Sequence, residues 1–149
     1  MELRGLIRES ILHQINSIEE SVDKSISNML FYHGTSSNFS SFKNEFIEKG
    51  THGAGFYFTP NIDAAKSYGD RVITVKLDIK NPLTLSGLSS DQDLRDMFPK
   101  AHTENDLTFE IIKHGYDGVV VYGNSKRTGT YIREVVVFYP KQIEIMENI

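Results

Sequence analysis

The chain has 149 residues, of which 39% are hydrophobic and 24% are charged, and its formal net charge is −4. These values are typical of one folded domain with a hydrophobic core, and they argue against a disordered chain or a broad basic surface for nucleic acid. The absence of cysteine excludes disulfides, thiolate catalysis and cysteine-ligated zinc, and no apolar run approaches the roughly 20 residues of a membrane-spanning helix.

The first 28 residues carry a regular apolar pattern. Isoleucine or valine recurs at every third or fourth position from Ile7 to Ile26, which predicts an amphipathic helix over residues 1–28. This helix either packs on the core of the domain or docks to a partner or to a second copy of the chain. The remaining residues, 29–149, are predicted to form a separate α+β unit.

From residue 30 onward the pattern is mostly that of strands. Five runs are rich in β-branched and aromatic residues: MLFYH, GFYFT, RVITVKLDI, GVVVY and EVVVFY. Thr59 and Pro60 predict the start of a short helix that ends at Tyr68, and further short helices are indicated around 91–97 and 105–114. We therefore predict an α+β domain with an antiparallel, hairpin-rich sheet.

Three strand-end residues are the candidates for a site. His33 ends the first apolar run, Tyr57 lies in an aromatic strand entered through two glycines, and Glu134 precedes the apolar run VVVFY. A carboxylate at the edge of so apolar a strand is unusual unless it faces a cleft. Each residue also has an ordinary explanation: a hydrogen-bonded strand-end histidine, a core aromatic ring and a solvated strand start.

The generic catalytic motifs are absent from the sequence. The stretch GTHGAG lacks the Gly-Lys-Ser/Thr ending of a phosphate-binding loop, and no Gly-x-Ser-x-Gly elbow occurs. We expect no metal site, because the histidines are scattered without the spacing of metal ligands: His13, His33, His52, His102 and His114.

The order and internal spacing of the motifs resemble the catalytic core of the ADP-ribosyltransferases with a His-Tyr-Glu triad, which include the poly(ADP-ribose) polymerases and the diphtheria-toxin type. In that family a His-Gly-Ser/Thr turn ends the first core strand, as at residues 33–35. A Gly-x-Gly-apolar-Tyr-apolar stretch matches Gly53–Phe58. The triad glutamate opens a strand that carries a glutamine eight residues later, which matches Glu134 and Gln142. The chain also resembles the small transferase domains of phage polyvalent proteins.

This resemblance implies a fold and a reaction for a catalytic domain at 29–149. The fold is a split antiparallel β-sandwich, with NAD+ bound between two small sheets. The reaction cleaves NAD+ at the nicotinamide glycosidic bond and transfers ADP-ribose through an oxocarbenium-like transition state, without a metal. The catalytic residues implied are His33, Tyr57 and Glu134, and the NAD+-binding residues implied are His33, Gly34, Thr35, Tyr57, Ala65 and Tyr68.

The family also implies a role for each of these residues. Glu134 would accept a hydrogen bond from the nicotinamide-ribose 2′-hydroxyl and stabilise the transition state. His33 would bind a ribose hydroxyl, and the backbone of Gly34 would hold the carboxamide, where a side chain would block the approach. The nicotinamide would lie between the rings of Tyr57 and Tyr68, which are eleven residues apart.

Two positions depart from the family pattern. Ala65 stands where the polymerases have a serine that binds the carboxamide, so nicotinamide binding would depend more on Gly34 and the two rings. Ile132 stands two residues before the glutamate, where toxin-type enzymes carry Glu to modify arginine or Gln to modify Asn, Gln or Cys. Both acceptor classes therefore lose support.

The expected activity is that of a mono-ADP-ribosyltransferase with a macromolecular acceptor, protein being favoured over nucleic acid. The loop 123–133, with Lys126, Arg127 and Tyr131, is either the acceptor site or a solvated hairpin loop. An NAD glycohydrolase and a non-catalytic NAD- or ADP-ribose-binding module remain alternatives. An RNA 2′-phosphotransferase is disfavoured, because its phosphate site needs several arginines and only Arg71, Arg127 and Arg133 qualify.

The location is expected to be cytoplasmic. The N-terminal segment carries charged residues and does not resemble a signal peptide, and no association with a membrane is expected. The resemblance to phage polyvalent domains suggests a phage- or bacterium-encoded protein that acts in the cytoplasm of the host.

Overall fold

The computed structural model describes residues 26–38, 40–125, 127 and 129–148. Most of the predicted amphipathic helix over 1–28 therefore lies outside the described residues. Residues 26–28 are helical, and the side chain of Ile26 is buried in the core. No helix in the described ranges is long and apolar enough to cross a membrane.

Strands dominate the described part of the chain, as the sequence predicts. Two single 3-10 turns, at Asn44–Phe46 and Pro140–Gln142, accompany the regular elements. The regular elements in chain order are β1 (Phe31–Thr35), β2 (Glu48–Gly50), β3 (Gly53–Phe58), α1 (Ile62–Lys66), β4 (Arg71–Leu77), β5 (Pro82–Ser86), α2 (Ser90–Met97), α3 (Glu104–Lys113), β6 (Gly118–Ser125), β7 (Gly129–Val137) and β8 (Ile143–Asn148).

The strands form two sheets. The smaller sheet has the order β1-β4-β8 and is antiparallel throughout, and the larger has the order β2-β3-β7-β6-β5. The prediction of an antiparallel arrangement is wrong for one pair, because β5 and β6 run parallel. Parallel neighbours need a long crossover connection. Helices α2 and α3, which lie between β5 and β6 in the chain, supply it.

Two hydrophobic cores lie on opposite faces of the larger sheet. Alternate residues of β7 separate them, since successive side chains of a strand point to opposite faces. Val135 and Val137 join the core shared with the smaller sheet, which includes Phe31, Ile73 and Val75. Val136 joins the core beneath α2 and α3, which includes Leu94, Leu107 and Ile111. The domain is thus a sandwich of two sheets with a helical layer on one side.

The two sheets meet at one backbone bridge beside the cleft described below. Tyr32 of β1 and Thr59, just past β3, exchange hydrogen bonds of 2.8 and 3.0 Å. Helix α1 starts three residues after Thr59 and is capped by Asn61, whose side chain accepts from the backbone of Asp63 and Ala64. The predicted cap at Thr59 is therefore wrong, because Asn61 offers a carbonyl oxygen at the position where the helix begins.

Candidate active site

A cleft of about 680 Å³ lies between β1, α1 and the face of the larger sheet. Ligand sites for small molecules commonly have volumes of roughly 300–1,000 Å³. The cleft brings together every residue that the sequence assigns to the site: His33, Gly34, Thr35, Tyr57, Ala65, Tyr68 and Glu134. Glu48 and His52, which the sequence does not assign to a site, also line it, as does Arg133 of the predicted acceptor loop.

The ring of Tyr57 is fixed by contacts at the β2–β3 turn. Its hydroxyl donates to the carbonyl of Gly53 at 2.6 Å and accepts from the backbone N–H of His52 at 3.1 Å. A side chain at Gly50 would come within 2.6 Å of the ring, so the glycine makes room for it. Burial raises the pKa of Tyr57. The hydroxyl is therefore engaged in hydrogen bonds within the protein, and the ring is the part of Tyr57 that a ligand can contact.

His33 is buried against the rings of Phe42 and Phe58, with centroid distances of 5.4 and 5.7 Å. Its Nδ1 lies 2.8 Å from the carbonyl oxygen of Tyr57. A carbonyl can only accept, so Nδ1 carries the proton and donates. The other ring nitrogen, Nε2, lies 3.6 Å from Oε1 of Glu48. The backbone bond thus fixes both the orientation and the tautomer of the ring.

Glu134 lies inside β7, six residues into the strand, and not at a strand start as the sequence predicts. The pairing of β6 and β7 is irregular here: Val121 lies opposite Glu134, while Tyr122 lies opposite Ile132. Arg133 is therefore the extra residue of a β-bulge, a feature that is common beside active sites. The strand extends further upstream than predicted because it continues into a hairpin with β6.

His52 holds the carboxylate of Glu134. Nδ1 of His52 lies 2.6 Å from Oε2 of Glu134, and Nε2 lies 3.0 Å from the hydroxyl oxygen of Ser90. Arg133 donates to the same Ser90 oxygen at 3.0 Å. Sequence reasoning did not assign His52 or Ser90 to the site. The position of His52 inside GTHGAG, directly before the glycines that lead to Tyr57, was the available signal.

Glu48 brings a second carboxylate to the cleft. Its side chain is half exposed. Burial raises the pKa of Glu48, the neighbouring His33 partly opposes this, and the negative charge of Glu134 adds to it. The cleft therefore holds two carboxylates together with the basic groups His33, His52 and Arg133.

The remaining predicted residues differ in exposure, hydrogen bonding and packing. Tyr68, just past α1, is 75% exposed. The hydroxyl of Thr35 accepts from the backbone N–H of Ser37 at 3.0 Å. Ala65 is buried, and its carbonyl oxygen would lie 1.6 Å from a side chain at Gly34. The structure thus gives Gly34 a reason other than ligand approach, namely the close packing of α1 on β1.

The predicted acceptor loop 123–133 is largely the β6–β7 hairpin, because β6 extends to residue 125 and β7 starts at residue 129. Lys126 lies outside the described residues. Arg127 and Tyr131 are exposed, and neither lines the cleft. Tyr131 instead covers Gly123 on the neighbouring strand, where a side chain would come within 2.7 Å of the ring. Among the described residues of the loop, Arg133 alone lines the cleft.

Two sheets packed around a ligand-sized cleft with a histidine, a tyrosine and a glutamate are the arrangement expected of an ADP-ribosyltransferase. The family model of the ADP-ribosyltransferases in polyvalent proteins matches residues 23–148. The chain therefore belongs to this family, which confirms the resemblance found in the sequence.

Other comparisons add little. No match is found among curated proteins. Among solved structures, the chain is similar to an anti-CRISPR protein whose crystal structure is known, with 14% identity and a TM-score of 0.43 over 83% of this chain and 98% of that one. Within the described ranges, no group of three or more histidine, aspartate or glutamate side chains is arranged to hold a metal ion.

Proposed function

We propose that the protein is a mono-ADP-ribosyltransferase that cleaves NAD+ at the nicotinamide glycosidic bond and transfers ADP-ribose to a macromolecular acceptor. The observation that carries the proposal is the meeting of His33, Tyr57 and Glu134 on one cleft, in a chain that belongs to an ADP-ribosyltransferase family. These residues come from β1, β3 and β7, which are far apart in the sequence.

The residues of the cleft fit NAD+. The hydroxyl of Tyr57 is tied to the protein, which leaves the ring for stacking on an aromatic base. Among the described residues, no group hydrogen-bonds Oε1 of Glu134, so this oxygen can accept from a ribose hydroxyl. The exposed ring of Tyr68 on the α1 side of the cleft would pack on the other face of the nicotinamide. Each stacked pair contributes about 0.5–1.5 kcal/mol beyond burial.

The proposed mechanism assigns one task to each residue. When bound, NAD+ supplies ADP-ribose as the transferred group and nicotinamide as the leaving group. Glu134 accepts from the ribose 2′-hydroxyl, and its negative charge stabilises the positive charge that develops at the ribose carbon. His33 binds a ribose hydroxyl, and the backbone of Gly34 binds the carboxamide. The rings of Tyr57 and Tyr68 stack on the nicotinamide and so orient the leaving group.

A single transfer to a protein is proposed over chain building or nucleic-acid modification. Only three residues separate β6 from β7, so the hairpin that precedes Glu134 has no long acceptor loop. The formal net charge of −4 disfavours a nucleic-acid acceptor, because nucleic-acid binding depends on contacts between cations and phosphates.

The test uses NAD+ labelled on the adenylate side, purified protein and a cell lysate, with protein, nucleic-acid and small-molecule fractions counted separately. Glu134→Gln is expected to lower nicotinamide release about 10²–10³-fold. Glu144→Gln changes an exposed glutamate of β8 outside the cleft and is the matched control. The proposal is supported if label enters the protein fraction with the wild type and with Glu144→Gln but not with Glu134→Gln.

Other outcomes assign other functions. Label in the nucleic-acid fraction would mean that the acceptor is a nucleic acid and not a protein. Free ADP-ribose as the only product would indicate an NAD glycohydrolase. If nicotinamide is never released while NAD+ still binds, the domain is a binding module and the proposal is wrong.

A further inference from the structure

Four side chains at the cleft form a continuous hydrogen-bonded row that ends on Glu134. Arg133 lies 3.0 Å from Ser90, Ser90 lies 3.0 Å from His52, and His52 lies 2.6 Å from Glu134. The row brings together the bulge of β7, the first residue of α2 and the β2–β3 turn. Three of its members belong to none of the family motifs found in the sequence.

The donors and acceptors of the row can be assigned from their chemistry. Arginine only donates, and an ionised carboxylate only accepts. His52 must therefore donate from Nδ1 to Glu134. In the neutral ring, Nε2 is an acceptor, and the single proton of Ser90 satisfies it while Arg133 donates to the Ser90 oxygen. Every hydrogen bond of the row then points toward Glu134.

The two central members of the row are buried. Ser90 is 1% exposed and His52 is 3% exposed, so both ring nitrogens of His52 are paired away from solvent. Hydrogen bonds to a charged acceptor are about twice as strong as neutral ones, and low dielectric strengthens them further. No buried side-chain nitrogen or oxygen in the described ranges lacks a partner.

His52 also contacts the second key residue of the cleft. Its backbone N–H donates to the hydroxyl of Tyr57 at 3.1 Å, while its ring donates to Glu134. One residue thus fixes the ring proposed to stack on nicotinamide and the carboxylate proposed to act on the ribose. A shift of His52 would displace both groups together.

We infer that His52, held by Ser90 and Arg133, is a positioning residue for Glu134. It fixes Oε2 and so turns Oε1 toward the substrate hydroxyl. The inference rests on the proposed function for its catalytic consequence, but the hydrogen bond itself can be tested in the free protein. Misplacement of a reacting group by about 1 Å can cost roughly 100-fold in rate, which sets the scale of the expected effect.

The first test needs no NAD+. Long-range ¹H–¹⁵N spectra of histidine-labelled protein are expected to show the His52 proton on Nδ1, with signals that change in Glu134→Gln and in Ser90→Ala. Glu110→Gln is the control, because Glu110 contacts His114 and not His52. A His52 ring without a proton on Nδ1, or with signals that Glu134→Gln leaves unchanged, would overturn the inference.

The second test measures nicotinamide release. His52→Phe is expected to lower kcat about 10–100-fold with a change in KM below about threefold. His52→Asn keeps an N–H donor near the Nδ1 position and is expected to retain more activity than His52→Phe at the same Tm. His102→Phe changes an exposed histidine outside the cleft and should leave kcat unchanged. Equal losses in the two His52 variants would contradict the inference.

A double-mutant cycle separates positioning from an independent role. If His52 acts through Glu134, His52→Phe causes no further loss in the Glu134→Gln background. The same fold-loss in both backgrounds would show that His52 acts on its own. If His52→Phe does not fold, His52→Asn and Ser90→Ala carry the cycle. A wild-type protein that releases no nicotinamide would refute the proposed function, and the spectra would still decide the positioning role.

Discussion

Arg133 and Glu134 are consecutive residues of β7, yet both side chains line the same cleft. Successive side chains of a regular strand point to opposite faces. The β-bulge removes this constraint, because Arg133 is the extra residue between the pairs Val121–Glu134 and Tyr122–Ile132. Ile132 then packs against the core between the sheets. The bulge therefore places a cation beside the carboxylate without putting it into the core.

Ile132→Glu tests this account of the bulge. Toxin-type enzymes carry a glutamate at this position, but here the side chain packs on the core between the sheets. A carboxylate there is expected to lower the free energy of unfolding by about 1–3 kcal/mol, measured by urea titration. Thr130→Glu, two residues earlier and exposed, should change it by less than about 0.5 kcal/mol. A stable Ile132→Glu protein that modifies arginine would mean that the side chain faces the cleft.

Gly34→Ala tests why the His-Gly turn needs its glycine. The new side chain would lie 1.6 Å from the Ala65 carbonyl oxygen, so α1 would have to move away from β1. We expect a loss of about 3 kcal/mol or more, seen as a fall in Tm of about 10 °C. Ser36→Ala, at the exposed position just after β1, is the stability control. An unchanged Tm with lost NAD+ binding would show that the glycine serves the ligand alone.

Tyr57→Phe removes a hydroxyl that both donates and accepts a hydrogen bond within the protein. The carbonyl of Gly53 and the backbone N–H of His52 lose their partner, which is expected to cost about 1–3 kcal/mol. Tyr68→Phe is the matched control and should change stability by less than about 0.5 kcal/mol, because Tyr68 is 75% exposed. Equal effects of the two substitutions in thermal unfolding would contradict the tight contacts of Tyr57.

The same variant has a predicted pH dependence. Burial raises the pKa of Tyr57 above its ordinary value of 10.0, so the folded state keeps a proton that the unfolded chain releases. Stability therefore falls as pH rises above about 10 in the wild type, and Tyr57→Phe lacks this contribution. The difference in Tm between the two proteins should narrow from pH 8 to pH 11. A constant difference would contradict the raised pKa.

Gln142, the glutamine of the family pattern, has a structural task. Its side chain accepts from the backbone N–H groups of Phe138 and Tyr139 and donates to the carbonyls of Asp78 and Asp117. Gln142→Leu leaves these four buried or half-buried groups unpaired, so we expect a loss of about 3 kcal/mol at unchanged kcat per folded molecule. Gln92→Leu, on an exposed face of α2, should be nearly neutral. A matching loss in kcat at low temperature would assign Gln142 to the site instead.

Local patterns in the sequence predict much of the fold and the motif residues of the cleft. Runs rich in β-branched and aromatic residues predict β1, β3, β4, β6 and β7, and the short helices indicated around 91–97 and 105–114 correspond to α2 and α3. The motif spacing brings His33, Tyr57 and Glu134 into one proposed site, and the structure places all three on one cleft. Short-range patterns succeed here because these strands carry buried apolar residues, which residue type and alternation indicate locally.

The features that the sequence did not predict depend on contacts between distant segments. Strand β2 has only three residues, none of them apolar, and β5 begins with a proline. The row from Arg133 to Glu134 needs the register of β6 and β7 and the crossover that carries Ser90. A bulge of one residue changes which side chains share a face, and no local periodicity specifies it.

Glu48→Gln tests the electrostatics of the cleft. Burial, and then the charge of Glu134, raise the pKa of Glu48 above its ordinary value of 4.5, against the opposing effect of His33. The folded state thus binds the proton more tightly than the unfolded chain, so stability falls as pH rises above about 4.5. We expect Glu48→Gln to raise Tm by about 1–3 °C at pH 7 and to match the wild type near pH 3. The effect is small because solvent screens the half-exposed side chain.

The control variant and the opposite result separate the effects of burial and of neighbouring charges on Glu48. Glu144→Gln, which changes an exposed glutamate of β8 outside the cleft, is the matched control. A lower Tm for Glu48→Gln at pH 7 would mean that attraction to His33 outweighs burial and the repulsion from Glu134.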